Sequence, residues 1–209
     1  MQSKSFAETT GEESAMAKKN VKKTKSRIVS AAWKLFYDQG YEDTTIEEII
    51  AESGTSKGSF YHYFEGKDAL LGSLSYMFDE KYTELEEELT EEMSACEILL
   101  FLNRELFEMI EKSVDIELLG RLFSTQLTTK GQKYLMDYSR EYYKLLKRIA
   151  VEGKECGELT DEMSVSEIVK YYAMCERGIL YDWCLCDGEY SLSEYSSRVM
   201  PMFLYKLQK

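Results

Sequence analysis

The sequence predicts an all-α fold, and three observations carry that prediction. Only one proline, Pro201, occurs in 209 residues, so almost nothing interrupts a helix. Thr45 with Glu48, Ser94 with Glu97, Ser164 with Glu167 and Ser191 with Glu194 have the form of capping boxes, in which hydroxyl and carboxylate each satisfy a backbone N–H at a helix start. Apolar residues recur at spacings of three and four, as in Leu71, Leu74, Phe78, Tyr82, Leu85 and Leu89, which puts them on one helical face. A chain of this length is one large domain or two small ones and can bury a sizeable core.

Residues 1–20 form an expected disordered extension, since the first 17 are polar and show no helical period. Met16 offers a second translational start. Lys18, Lys19, Lys22, Lys23, Lys25 and Arg27 make a basic arm suited to lie along phosphates. The first helix is expected from about Thr24 to Gln39, with Ile28, Ala31, Ala32, Leu35 and Phe36 inward, Trp33 off that stripe and Gly40 at its end. Tyr41 turns back toward the core. A second helix opens at Thr44 or Thr45, packs with Ile46, Ile49 and Ile50, and breaks at Ser53-Gly54. A third is capped by Thr55 or Ser56 and packs through Phe60, Tyr63 and Phe64. Two short helices around a tight glycine turn form a helix-turn-helix.

The outer side of that third helix carries Ser56, Lys57, Gly58, Ser59, Tyr61 and His62, none acidic. Gly58 costs roughly 1 kcal/mol against alanine inside a helix, and close approach to a phosphate backbone would explain it. Lys67 and the helix opening near Gly66 add a further anion site. The pattern alone leaves two readings open, a plain helical hairpin with a polar face and a DNA-reading unit.

The surrounding residues favour the second. Ile28, Ala31, Ala32, Leu35, Phe36, Gly40, Tyr41, Thr44, Thr45, Ile46, Ile49, Ala51, Gly54, Ser56, Lys57, Gly58, Phe60, Tyr61, Tyr63, Phe64, Lys67 and Leu70 give the run from Arg27 to Leu71 a dense match. That run resembles the DNA-binding domain of the TetR family of transcriptional regulators. Thr55 departs from it, where the family usually has a small apolar residue. The resemblance implies a three-helix DNA-binding head over residues 21–70 and a ligand-binding and dimerisation body of about six helices over 71–209. It implies DNA contacts at Thr45, Thr55, Ser56, Lys57, Gly58, Ser59, Tyr61, His62, Tyr63 and Lys67.

In the body, one long helix is expected from Lys67 through the acidic run ending near Glu92, with Gly72 as its only breaker. Further helices are expected from Ser94 to about Lys112, Asp115 to Thr128, Gly131 to about Cys156, Ser164 to about Cys186, and Ser191 to Leu207. By resemblance the last two supply a homodimer interface, with Ile168, Tyr172, Ile179, Trp183, Met200 and Phe203 as candidates. Aromatic and methionine side chains at helical spacing are ordinary core. The resemblance adds an effector pocket, with Phe78, Tyr82, Phe107, Phe123, Tyr138, Tyr142 and Tyr172 as candidate lining.

The net charge of −12 is segregated. Residues 18–70 hold nine Lys/Arg and eight Asp/Glu, whereas residues 71–209 hold sixteen and twenty-seven. An acidic body orients the basic end toward DNA and points to a small apolar effector, neutral or cationic. The five cysteines include no C-x-x-C pair and suggest neither a disulfide framework nor a zinc site. No apolar run reaches the ~18 residues of a membrane span and no signal peptide is evident, so a cytoplasmic location is expected. The single histidine, His62, lies on the DNA-facing helix, and no P-loop, dinucleotide fingerprint or catalytic triad can be assembled; no enzyme, cofactor or metal is expected. The reading is a repressor that binds a palindromic double-stranded operator as a homodimer and is released when a ligand near Phe78 and Tyr82 displaces the helix shared by head and body. Two alternatives stand beside it, a regulator without a small-molecule effector and a helical interaction protein that has lost DNA binding.

Overall fold

A computed structural model describes residues 23–128, 130 and 133–209. The expected N-terminal extension, with Lys18, Lys19 and Lys22 of the basic arm, lies outside the described residues. The chain divides after Ser73 into two compact units.

The first unit holds α1 over residues 23–39, then α2 (Ile46–Ser53), α3 (Lys57–Tyr63) and α4 (Lys67–Leu71). Its core is Ile28, Ala31, Ala32 and Phe36 of α1 against Tyr41, Ile49, Phe60, Phe64 and Leu70. The Thr45–Glu48 capping box is complete. Gly54 takes the left-handed conformation that stops α2, with φ 59° and ψ 37°. A Cβ there would also lie 2.8 Å from Nη2 of Arg27. That guanidinium donates to the carbonyls of Ser53 at 2.5 Å and Gly54 at 3.0 Å, so Arg27 satisfies the end of α2 instead of extending the basic arm.

The second unit is α5 (Leu74–Glu86), α6 (Ala95–Ser113), α7 (Ile116–Thr128), α8 (Glu141–Glu155), α9 (Val165–Leu185) and α10 (Leu192–Leu204). No strand is present among the described residues; Leu159 and Gln208 form one isolated bridge. Two expected helices differ. The long helix from Lys67 breaks at Gly72-Ser73, where the Ser73 hydroxyl donates to the Leu70 carbonyl at 2.5 Å and accepts from Trp33 Nε1 at 2.6 Å. It also ends at Glu86, because Glu84, Glu86, Glu87 and Glu88 would crowd the negative end of the helix dipole. The helix expected from Gly131 begins only at Glu141. Asp137 Oδ1 accepts from Ser139 N at 2.9 Å in a local turn, and a single 3-10 turn, Tyr134–Met136, precedes it.

α6 packs against α10, α8 and α5, and α9 packs against α8, α10 and α7. α8 approaches α6 closely at Gly153, where a Cβ would lie 2.6 Å from Ala95 Cβ and 2.8 Å from Leu159 Cδ1. The centre of this unit is polar. Glu176 of α9 is 4% exposed. Its Oε1 accepts from Asn103 Nδ2 at 3.0 Å and Tyr172 OH at 2.9 Å. Its Oε2 accepts from Tyr142 OH at 2.6 Å and Tyr82 OH at 3.4 Å. Asn103 Oδ1 in turn accepts from Ser196 Oγ of α10. Beside this hub, Arg140 forks onto Asp79, Nε to Oδ2 at 2.9 Å and Nη2 to Oδ1 at 3.0 Å, and also donates to the Ser75 carbonyl at 2.8 Å.

Burial pushes the Glu176 carboxyl above its ordinary value near 4.5, although the hydrogen bonds from Asn103, Tyr142 and Tyr172 pull the other way. A native carboxyl that stays protonated after the unfolded one has ionised binds more protons in the folded state. Stability therefore falls as pH rises from about 4.5 through the raised value, by at most about 1.4 kcal/mol per pH unit. Denaturation midpoints measured upward from pH 5 will show wild type losing ground against Glu176→Gln. Gly153→Ala will lower the thermal midpoint even though helix propensity alone favours alanine by roughly 1 kcal/mol; overpacking costs about 1–3 kcal/mol, and calorimetry reads the sign.

Candidate DNA-binding face and effector chamber

Seven residues from Lys57 to Tyr63 form α3, capped by Ser56, whose Oγ accepts from Ser59 N at 3.1 Å. Burying Phe60 completely turns Ser56, Lys57, Gly58, Tyr61 and His62 outward, all exposed. A Cβ on Gly58 would meet only Ser56 Oγ, at 3.9 Å, so no internal packing demands glycine there. Its absence of side chain leaves the surface flat. Ser59 is half-buried and shares a 2.9 Å hydrogen bond with Ser56 Oγ. Tyr63 is half-buried and meets the His62 ring edge-on at 4.7 Å. Thr45 is exposed at the start of α2, with its hydroxyl on Glu48 Oε2 at 2.8 Å.

Two expected contact residues are otherwise engaged. Thr55 Oγ1 is half-buried within the turn, 2.8 Å from Ser53 Oγ. The Lys67 ammonium donates to the carbonyls of Tyr41 at 2.5 Å, Thr44 at 2.9 Å and Glu42 at 3.2 Å, and sits 4.3 Å from the centre of the Tyr41 ring. It ties the α1–α2 loop to α4, which has only five residues. Lys57 is the cation that remains on the exposed side of α3. Its Nζ pairs with Glu47 Oε1 of α2 at 3.2 Å, both side chains about two-thirds exposed, and the hydrogen bond from Lys57 holds the Glu47 carboxyl below its ordinary range.

In the second unit a chamber of about 50 Å³ opens among α5, α6, α7, α8 and α9. Of the expected lining, Phe78, Tyr82, Phe123 and Tyr142 face it. Three others do not. Phe107 is completely buried in the helical core, Tyr138 is 54% exposed with its ring stacked on Tyr143 at 4.4 Å, and Tyr172 is buried at the hub. The unexpected lining is charged: Arg140, Glu176 and Arg177, together with Leu106, Leu119, Leu122, Leu135 and Leu180. Glu176 was signalled by its place four residues after Tyr172 on the inward stripe of α9; no comparable signal marks Arg177. A larger groove of about 480 Å³ on the α6–α10 surface, lined by Arg104, Glu108, Ser193, Glu194, Ser197 and Arg198, is polar and open to solvent.

The expected dimer residues also move. Ile168, Tyr172, Ile179, Trp183 and Met200 are at most 5% exposed within the subunit, and Phe203 is half-buried with its carbonyl accepting from Tyr171 OH at 2.9 Å. The large apolar side chains left outward on the last two helices are Met174, Tyr181 and Leu185 of α9 with Tyr195 and Met202 of α10. No helix among the described residues is long and apolar enough to cross a membrane.

Comparison with known proteins gives a consistent result. The family model described as bacterial regulatory proteins, tetR family, matches residues 28–74. The chain is 22% identical over 182 residues to the fatty acid metabolism regulator protein of Bacillus subtilis (strain 168), covering 85% of this chain and 92% of that one. It is 27% identical over 164 residues to the transcriptional regulator QacR of Staphylococcus aureus, covering 78% and 75%. Its fold matches the crystal structure of Thermus thermophilus FadR, a TetR family repressor in complex with lauroyl-CoA, with a TM-score of 0.74 at 22% identity over 88% of this chain and 95% of that one. The head thus matches the tetR family model over residues 28–74, and the chain is similar to transcriptional regulators through most of the body.

Proposed function

We propose that the chain is a repressor that holds a palindromic operator as a homodimer and releases it when a small ligand enters the body. The observation that carries the DNA reading is α3, which turns Ser56, Lys57, Gly58, Tyr61 and His62 outward without one carboxylate among them. Thr45, Ser59 and Tyr63 flank that face and serve phosphates. Lys67 acts indirectly, by fixing the loop before α2. Dimer formation falls to the outward residues of α9 and α10, because an exposed Leu185 (65%) and Met202 (73%) want cover, and two helices per subunit give a self-complementary contact. Two heads then read half-sites about 34–36 Å apart or a multiple of that.

For release, α5 supplies Phe78 and Tyr82 to the chamber and follows α4 after only Gly72 and Ser73. A ligand that moves α5 acts on the chain leading directly into the head. The chamber's 50 Å³ is well below the ~300 Å³ of a small-ligand pocket, so the ligand must select a widened body. A ~100-fold preference for the released state corresponds to roughly 2.7 kcal/mol. The small volume favours one competing reading, a regulator whose body is filled by its own side chains. Against it stand three ionisable groups on the chamber wall, an expensive lining for mere packing. The FadR neighbour, solved with lauroyl-CoA, supports a ligand with an apolar chain.

A gel shift against the protein's own upstream region, backed by selection from random sequences, tests DNA binding; no specific site in either would sink the reading. In that assay Lys57→Ala will weaken binding across all sequences and reduce the salt slope by about 1. Lys67→Met will lower the unfolding midpoint of the protein without that change of slope. For the dimer, Leu185→Glu with Met202→Glu will give a monomer in sedimentation at micromolar concentration, and a dimer unaffected by both charges would refute the assigned face.

A further inference from the structure

The reading that the body takes an effector can be carried to the chemistry of that effector. We propose that the chamber accepts an apolar-tailed anion, with Arg177 as the receptor of its acidic head. Three ionisable residues face the chamber, and two are committed. Arg140 is forked onto Asp79, with side chains 9% and 12% exposed. Glu176 is filled by Asn103, Tyr172 and Tyr142; admitting a cationic ligand there means breaking those bonds. Arg177 is different. It is half-buried, its Nη1 donates to Tyr143 OH at 3.1 Å, and among the described residues no carboxylate pairs with it.

A ligand that fills the chamber removes water from Arg177. A neutral or cationic ligand leaves that guanidinium desolvated without a counter-charge, which is costly. An anion brings the counter-charge, and a carboxylate matches the two-pronged donor geometry. The position suits an amphiphile, since Arg177 is half-buried while Phe78, Leu119, Leu122, Phe123 and Leu180 offer an apolar bed for the tail. The local charge thus opposes the neutral or cationic ligand suggested by the acidic surface as a whole.

Titration calorimetry of the full chain with dodecanoate, lauroyl-CoA, dodecanol and dodecylamine separates the cases. Dodecanoate, lauroyl-CoA or both will bind at least 10-fold more tightly than the alcohol and the amine. The two anionic arms tell whether the acid is the acyl end itself or lies beyond a thioester. Arg177→Met will abolish the preference while operator affinity without ligand is unchanged, and Arg177→Lys, which keeps the charge, will retain part of it. Equal or tighter binding of dodecylamine or dodecanol, or an undiminished preference in Arg177→Met, overturns the proposal. So does the absence of binding by all four probes, an outcome that leaves the DNA-binding reading standing wherever the gel shift is positive.

Discussion

Glu176 is the point at which α5, α6, α8 and α9 are hydrogen-bonded together, with α10 joined through Asn103. Burying a carboxyl is costly unless its lone pairs are filled, and here Asn103 and three tyrosines fill them. Each donor is therefore fixed in position by a group it must continue to satisfy. Tyr82 and Tyr142 belong both to this hub and to the chamber wall. A ligand pressing on those rings disturbs bonds that reach α6, α9 and α10 together. Packing alone would let each helix yield separately; the shared carboxyl ties them through a common set of hydrogen bonds.

Much of this architecture was legible in the chain. Helix starts were readable because Thr45, Ser94, Ser164 and Ser191 each place an oxygen on the backbone N–H three residues on, a local event. The turn at Gly54 was readable for the same reason. What failed was non-local. α9 is apolar on two sides, Ile168, Tyr172, Ile179 and Trp183 inward and Met174, Tyr181 and Leu185 outward, and periodicity does not say which side meets the subunit's own core. Lys67 reads as a phosphate ligand because lysine chemistry fits both roles, and the three carbonyls converging from the α1–α2 loop are a non-local feature that sequence does not show. The break after α4 depended on a serine hydroxyl and an indole forty residues away in sequence.

Charge shows the same gap between total and place. The acidic balance of residues 71–209 describes the surface, yet the interior wall carries two guanidinium groups and one carboxylate whose burial opposes ionisation. In the head, Arg27 and Lys67 are spent on backbone carbonyls. Among the described residues, the basic character of the head is correspondingly narrower than the residue count suggests.

The exposed Lys57–Glu47 pair has a bearing on how such a head finds its site. A solvent-exposed pair of this kind is worth little, up to about 1 kcal/mol, so a phosphate in the right place readily takes the lysine over. On an arbitrary stretch of duplex, however, Glu47 competes for that ammonium and its own charge lies close to the polyanion. With Lys57 on a phosphate as proposed, residence on wrong sequence would be shortened and the molecule would hop and slide onward sooner. Only where the bases also hold the face of α3 does the lysine exchange partners for long. A carboxylate beside the proposed reading helix would thereby act as a timer on the genomic search.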